Sequence, residues 1–214
     1  MLNIVVFGSG LGTIFDALAT HQNLGLYQIM GLFSDRVCPC QSIALKHQIP
    51  ALVHSWEDFI NTCGVEQVTR TAYDQSIVEL LNHFSEKHNN HIDLIVMAGY
   101  MKIVNTPLIQ KFENKIINVH PADLTILDDQ GKRRYIGKNA VYQALQQGEW
   151  RTRSTVISVV EAVDEGPILE LGPWVPYAET YPVTLEAAKR HQAKQKQLSD
   201  IPACLNVLKR IAKG

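Results

Sequence analysis

The sequence predicts an α/β fold: a Rossmann-like, mostly parallel twisted sheet with helices on both faces, read as a single domain over residues 1–214. Three observations carry this. The apolar run at residues 3–7 stops at Gly8-Ser9-Gly10-Leu11-Gly12-Thr13, after which Ile14, Phe15 and Leu18 take up helical spacing. A second run, Asp93-Leu94-Ile95-Val96-Met97-Ala98-Gly99-Tyr100, has the unbroken hydrophobicity of a strand buried on both faces. A third, Ile116-Ile117-Asn118-Val119-His120-Pro121, delivers an amide and an imidazole, two residues apart, into a proline.

In chain order, the glycine loop and its helix lead to a strand over residues 27–33, a helix near residues 41–48 and a short strand at residues 51–53. Ile77, Leu80, Leu81 and Phe84 mark the next helix, which feeds the strand at residues 93–100. A helix over residues 106–112 precedes the strand at residues 116–119. Residues 122–134 are polar and irregular and read as a long active-site loop, with Lys132-Arg133-Arg134 as a solvated turn. A helix at residues 139–146 is ended by Gly148. A strand-turn-strand unit follows, with residues 154–160 rich in β-formers, Ala162-Val163-Asp164-Glu165-Gly166-Pro167 as the turn, and Ile168-Leu169-Glu170-Leu171 beyond it. From Tyr181 the chain reads as helical, and Pro202 opens or kinks the last segment.

Twenty basic residues against twenty-one acidic ones leave a net charge of −1, so no global field favours nucleic acid or a membrane surface. The N-terminal apolar run breaks at Gly8, too early for a signal peptide or a membrane span. A cytoplasmic protein is therefore expected. Cys38 and Cys40 flank a proline while Cys63 and Cys204 stand alone, a spacing that favours reduced thiols over a zinc site. His88-Asn89-Asn90-His91 reads as a solvated turn, and no metal is expected.

Ligands of open parallel sheets gather at the carboxyl ends of strands. Three such ends here carry the glycine loop, Gly99-Tyr100-Met101-Lys102, and Asn118 with His120. Backbone N–H groups at a helix start suit an anion such as phosphate. Residues two apart on a strand share a face, so Asn118 and His120 would look into one site. Asp164 can be presented from its turn, although the turn geometry also accounts for an acid there. Asp35, at the end of the second strand, stands where an acid could meet a ribose, which leaves open a nicotinamide-linked oxidoreductase.

Taken together, these stretches resemble the folate-dependent formyltransferase family, most closely its glycinamide ribonucleotide branch. The resemblance rests on the glycine loop, Ser34-Asp35, Met97-Ala98-Gly99-Tyr100-Met101-Lys102-Ile103, Asn118-Val119-His120-Pro121, Ser154-Thr155-Val156 and Val163-Asp164-Glu165-Gly166-Pro167-Ile168, in the family's order over residues 1 to about 175. It implies the formyltransferase fold and formyl transfer from 10-formyltetrahydrofolate, as co-substrate, to a primary amine of a small molecule. The implied catalytic trio is Asn118, His120 and Asp164. Folate would be walled by Met97, Ala98, Gly99, Tyr100, Met101 and Lys102 together with Glu161, Ala162, Val163 and Asp164. The acceptor would lie on Gly10, Leu11, Gly12, Thr13 and Gln197. The implied partners are a reduced folate and the amine; a homodimer is compatible with the resemblance.

Departures from the family pattern lie on the acceptor side. Ile14 stands where the family has a phosphate-binding Asn, and Gln197 where a Glu meets the ribose hydroxyls. Asp123-Leu124-Thr125 replaces Leu-Leu-Pro, the loop to Tyr135 is longer, and Ile157 replaces a His. The alternatives are a formyltetrahydrofolate deformylase with water as acceptor, and a folate-binding module without catalysis.

Overall fold

The computed structural model describes residues 1–63 and 69–213. They divide into two units, Met1–Ile117 and Asn118–Gly214.

The first unit opens with β1 (Leu2–Phe7), α1 (Thr13–His21), β2 (Tyr27–Ser34), α2 (Cys40–Lys46) and β3 (Ala51–Val53). It continues with α3 (Trp56–Cys63), α4 (Arg70–Lys87), β4 (Leu94–Met97), α5 (Thr106–Lys111) and the start of β5 (Ile116–His120). Four strands lie side by side in the order β3-β2-β1-β4, every pair parallel. A parallel pair cannot be joined by a hairpin, so helices carry the crossovers, α1 between β1 and β2 and α4 between β3 and β4. Residues Asn3–Phe7 are all buried, the burial that an unbroken apolar run requires of a central strand. Phe7 pairs with Phe33 on one side and Met97 on the other, and the Phe7 and Phe33 ring centroids lie 4.5 Å apart with the planes tilted by 39°.

α4 buries Ile77, Leu81 and Phe84 of the expected stripe, with Tyr73 beside them and Leu80 only partly buried, and Thr69 caps it by accepting the Ala72 N–H at 3.1 Å. Phe84 closes over Gly31 of β2, where a Cβ would come within 3.1 Å of the ring. Sequence reading missed α3, and the reason is physical: none of its residues is buried, so it carries no core stripe. Among the described residues no helix is long and apolar enough to cross a membrane.

The second unit begins with Asn118–His120 of β5, followed by α6 (Ala140–Gln146), β6 (Arg151–Thr152), β7 (Thr155–Ser158), β8 (Ile168–Leu171) and β9 (Val175–Pro176). Then come α7 (Leu185–Gln195), a π-helical turn (Lys196–Asp200) and α8 (Ile201–Ile211). β7 and β8 pair antiparallel, as the strand-turn-strand reading requires, and β6 pairs with β9 in a two-residue ribbon too short to leave a period. Gly166 is indispensable to the turn: a Cβ there would fall 1.7 Å from the Ser158 carbonyl oxygen. Thr184 caps α7 through the Ala187 N–H, which sets the helix start at Leu185 and not at Tyr181.

Residues 122–134 depart from expectation. Ala122, Asp123 and Leu124 are buried, and Tyr135 closes the segment from the core beside Ala122, Ala140 and Ala144. Between them Leu127 bridges to Arg133, and Asp128 caps the tip by accepting the Gln130 and Lys132 N–H groups, each at 2.9 Å. The segment is a pinned hairpin-like excursion, since its polar residues satisfy its own backbone.

Candidate active site

Within the second unit, β5 extends through His120, so Asn118 and His120 lie on one strand two residues apart, on the same face. Asn118 is half-buried, and among the described residues its amide takes no hydrogen bond. His120 is buried, with Nε2 2.7 Å from the Tyr135 carbonyl oxygen. A carbonyl only accepts, so Nε2 carries the proton and Nδ1 is the atom that titrates. Nδ1 lies 3.5 Å from Asp164 Oδ2. Burial holds His120 below the usual histidine range; Asp164 and the Tyr135 carbonyl oppose this, and Arg133 adds to it.

Asp164 is held from several sides. Its backbone is left-handed, φ 56°, a conformation that Asp tolerates better than most residues. The Gly137 N–H donates to Oδ2 at 2.9 Å, and the Arg133 guanidinium donates to the Asp164 carbonyl. Tyr135, Gly137 and Arg133 are thus functional neighbours that sequence reasoning missed. All three sit at the return of the excursion; Arg133 and Gly137 reach Asp164 across about thirty residues and Tyr135 reaches His120 across fifteen, with no local signature.

The replacement of Leu-Leu-Pro also has a structural reason. Asp123 is buried and accepts from Arg153 Nε at 2.9 Å, while its other oxygen caps Thr125 N–H at 2.9 Å and Thr125 Oγ1 at 2.6 Å. Arg153 lies 4.2 Å over the Trp174 ring. Gln197 is exposed on the π-helical turn. Glu161, Ala162 and Val163 are exposed and lead into Asp164.

Within the first unit, two of the three expected strand ends meet. Gly8 N–H donates to the Phe33 carbonyl at 3.0 Å, and Ser9 N–H to the Gly99 carbonyl at 3.2 Å. Ser9 Oγ donates to Asp35 Oδ1 at 2.5 Å and accepts the Met101 N–H at 3.1 Å, so one hydroxyl ties the glycine loop to both neighbouring strand ends. Asp35 is buried and also takes Arg36 at 2.7 Å, which leaves it committed inside the protein instead of open to a ribose.

Gly12 N-caps α1 at φ 71°, and a Cβ there would meet Cys40 at 2.9 Å. No side chain caps α1, so no side chain satisfies the N–H groups of its first turn, and Leu11 beside them is exposed. Ile14 turns into the core and offers no polar group. Of the strand-end residues Met97, Ala98, Gly99, Tyr100, Met101 and Lys102, the first two and Tyr100 are buried, and Gly99 turns the chain at φ 81°. The buried Tyr100 hydroxyl has no partner among the described residues.

The formyl transferase family profile matches residues 2–196. The chain belongs to the formyl transferase family. Among its relatives, the trifunctional purine biosynthetic protein adenosine-3 of Bos taurus is 30% identical over 169 residues, 78% of this chain and 15% of that protein. The chain thus spans a small part of the length of that relative. Phosphoribosylglycinamide formyltransferase of Haemophilus influenzae is 29% identical over 198 residues, 91% of this chain and 83% of that one. The crystal structure of glycinamide ribonucleotide transformylase 1 from Symbiobacterium toebii is 28% identical and aligns with a TM-score of 0.78 over 100% of this chain and 89% of that one. The expected fold class, a mostly parallel sheet laced with helices, is the one this family member adopts.

Proposed function

We propose that the protein transfers a formyl group from 10-formyltetrahydrofolate to the primary amine of glycinamide ribonucleotide, a step of purine biosynthesis. The observation that carries this reading is the His120–Asp164 pair, buried and oriented on both ring nitrogens, with the Asn118 amide two residues earlier on the same strand face.

The amine nitrogen attacks the formyl carbon, and negative charge collects on the former carbonyl oxygen. The Asn118 amide donates to that oxygen, a kind of stabilisation that supplies about 3–4 kcal/mol per donor in comparable sites. As the oxyanion collapses, the bond from the formyl carbon to the folate nitrogen breaks, and the proton that the attacking amine loses is passed on to that leaving nitrogen. Asp164 takes the amine proton, and His120 Nδ1 shares it, because Nε2–H is engaged by Tyr135. The geometry supports a neutral resting His120 that acts through Asp164.

Met97 to Lys102, with Glu161 to Asp164, wall the folate in this reading. Backbone N–H groups at Gly10, Leu11, Gly12 and Thr13 take the acceptor phosphate, and Gln197 the ribose hydroxyls. With Ile14 buried, the phosphate is held by backbone groups alone.

The test is direct. Purified protein, 10-formyltetrahydrofolate and glycinamide ribonucleotide should yield the N-formylated amine by mass spectrometry, with loss of about 10²–10⁴-fold in kcat/KM for His120→Ala and Asp164→Ala. Formate release without amine consumption would identify a deformylase. Folate binding without turnover would identify a non-catalytic module.

A further inference from the structure

Cys38 and Cys40 form a thiol pair that the formyl-transfer reading does not use. Cys38 sits in the turn after β2 and Cys40 opens α2. Pro39 between them has helical backbone, φ −57° and ψ −21°, and N-caps α2. Their sulfurs are 2.8 Å apart, and only a small further approach separates them from the ~2.05 Å of a disulfide bond.

The two thiols differ in access. Cys38 is partly exposed, whereas Cys40 is buried and its thiol is pushed up to about 12, first by burial and then by Cys38. Ser34 Oγ gives its proton to the Arg36 carbonyl at 2.7 Å and stands 3.4 Å from Cys38 Sγ, so it can accept the Cys38 S–H. An exposed first thiol beside a buried second one is the arrangement of an attacking and a resolving cysteine.

Cys40 is also the floor of the glycine loop. Its N–H donates to the Gly10 carbonyl at 3.2 Å, its sulfur faces the Gly8 carbonyl at 3.8 Å, and a Gly12 side chain would strike Cys40 together with Ile43. Movement of the Cys40 side chain therefore changes the support of the loop at three glycines.

We propose that Cys38 and Cys40 are a reversible dithiol–disulfide site that takes low-molecular-weight disulfides as its oxidant and is coupled to the glycine loop. Cys38 thiolate attacks one sulfur of glutathione disulfide and expels one glutathione thiolate, giving a mixed disulfide. Cys40 then attacks Cys38 sulfur, expelling the second glutathione. Two protein S–H protons are lost, the protein is oxidised by two electrons, and one glutathione disulfide becomes two glutathiones.

The experiment treats the intact chain with glutathione disulfide in excess and follows intact mass, peptide mapping and amide hydrogen exchange. The expected product is about 2 Da lighter, carries a Cys38–Cys40 link that dithiothreitol reverses, and shows changed exchange at Gly10 to Thr13 with α4 unaltered. Cys40→Ser should stop at a stable glutathione adduct on Cys38, and Cys38→Ser should form no internal link. Retention of the glutathione adduct on Cys38 in the unsubstituted chain overturns the site. So does reaction confined to the exposed Cys63. A link formed without any change in loop exchange overturns the coupling. None of these readouts depends on formyl transfer, so the two proposals stand or fall separately.

Discussion

The Gln195 side-chain amide donates to the Pro121 carbonyl at 2.8 Å, fixing from α7 the residue that follows His120. Its other contacts set the direction of every proton in the network. Gln195 Nε2 also reaches Asp200 at 3.3 Å, and Thr152 donates its single hydroxyl proton to Gln195 Oε1. Thr152 must then accept from His191, whose Nε2 lies 2.7 Å away and carries its proton. The chain His191, Thr152, Gln195 is thus ordered and buried, and it ends on the partly buried Pro121 carbonyl.

Thr152→Val keeps the shape of the side chain and leaves two buried partners unsatisfied, the His191 N–H and the Gln195 oxygen. A loss of about 2–6 kcal/mol follows, from two orphaned groups at about 1–3 kcal/mol each. Urea denaturation measures it. A change within ±0.5 kcal/mol would mean that the network is not maintained in solution.

Asp123 and Arg153 should behave as a coupled pair. Removing Asp123 alone strands a guanidinium that is largely buried against Trp174, and a cost of about 3–5 kcal/mol is expected for Asp123→Leu. Combining it with Arg153→Gly removes both charges, so the double variant should be more stable than the two single losses added together by about 1–3 kcal/mol. Additive losses in a denaturation-based double-mutant cycle would show that the two substitutions are independent features of this chain.

Much of this architecture was legible in the sequence because it is local. Strand, glycine loop and helix announce themselves by period and by glycine, and Asn118-Val119-His120-Pro121 by its place at a strand end. The turn at Asp164 was legible as a turn, and Gly166 within it is required by contact with Ser158. What stayed hidden depends on partners far apart in the chain. The polarity of Asp123 suggested a solvated loop because its counter-ion, Arg153, lies thirty positions away. The link from Tyr135 to His120 runs through a backbone carbonyl, which no side-chain pattern encodes. Gln195 stands between Lys194 and Lys196 in the sequence, yet it is fully buried.

Asp200 carries a pH dependence of stability. It is buried on the π-helical turn, and burial pushes its carboxyl up to about 6, against an ordinary value of 3.8, with the Gln195 amide opposing. A folded value above the unfolded one means that the native state binds the proton more tightly between those limits. The group therefore favours folding below about pH 4, and that contribution is lost as pH rises through about 6. Asp200→Asn keeps the neutral shape at every pH. Its stability advantage over the parent should grow between pH 4 and pH 7 to the order of 1–3 kcal/mol, read from denaturation midpoints across that range. A pH-independent difference would place the titration elsewhere.

His120 gives the corresponding dependence of activity, on the proposed mechanism. Burial lowers its affinity for a proton, so Nδ1 is unprotonated at neutral pH and can share the proton that Asp164 takes from the amine. The acid limb of kcat/KM should fall below the ~6.5 of an unperturbed imidazole. Arg133 lowers His120 further by its positive charge. Replacing Arg133 with Gln removes that charge and keeps an amide that can still donate to the Asp164 carbonyl. The limb should then move towards higher pH by a few tenths of a unit, with the plateau rate reduced less than about tenfold. The direction matters more than the size, since a mere loosening of the turn would lower the plateau and leave the limb in place. A limb that moves to lower pH in Arg133→Gln would remove His120 from the role of the titrating group.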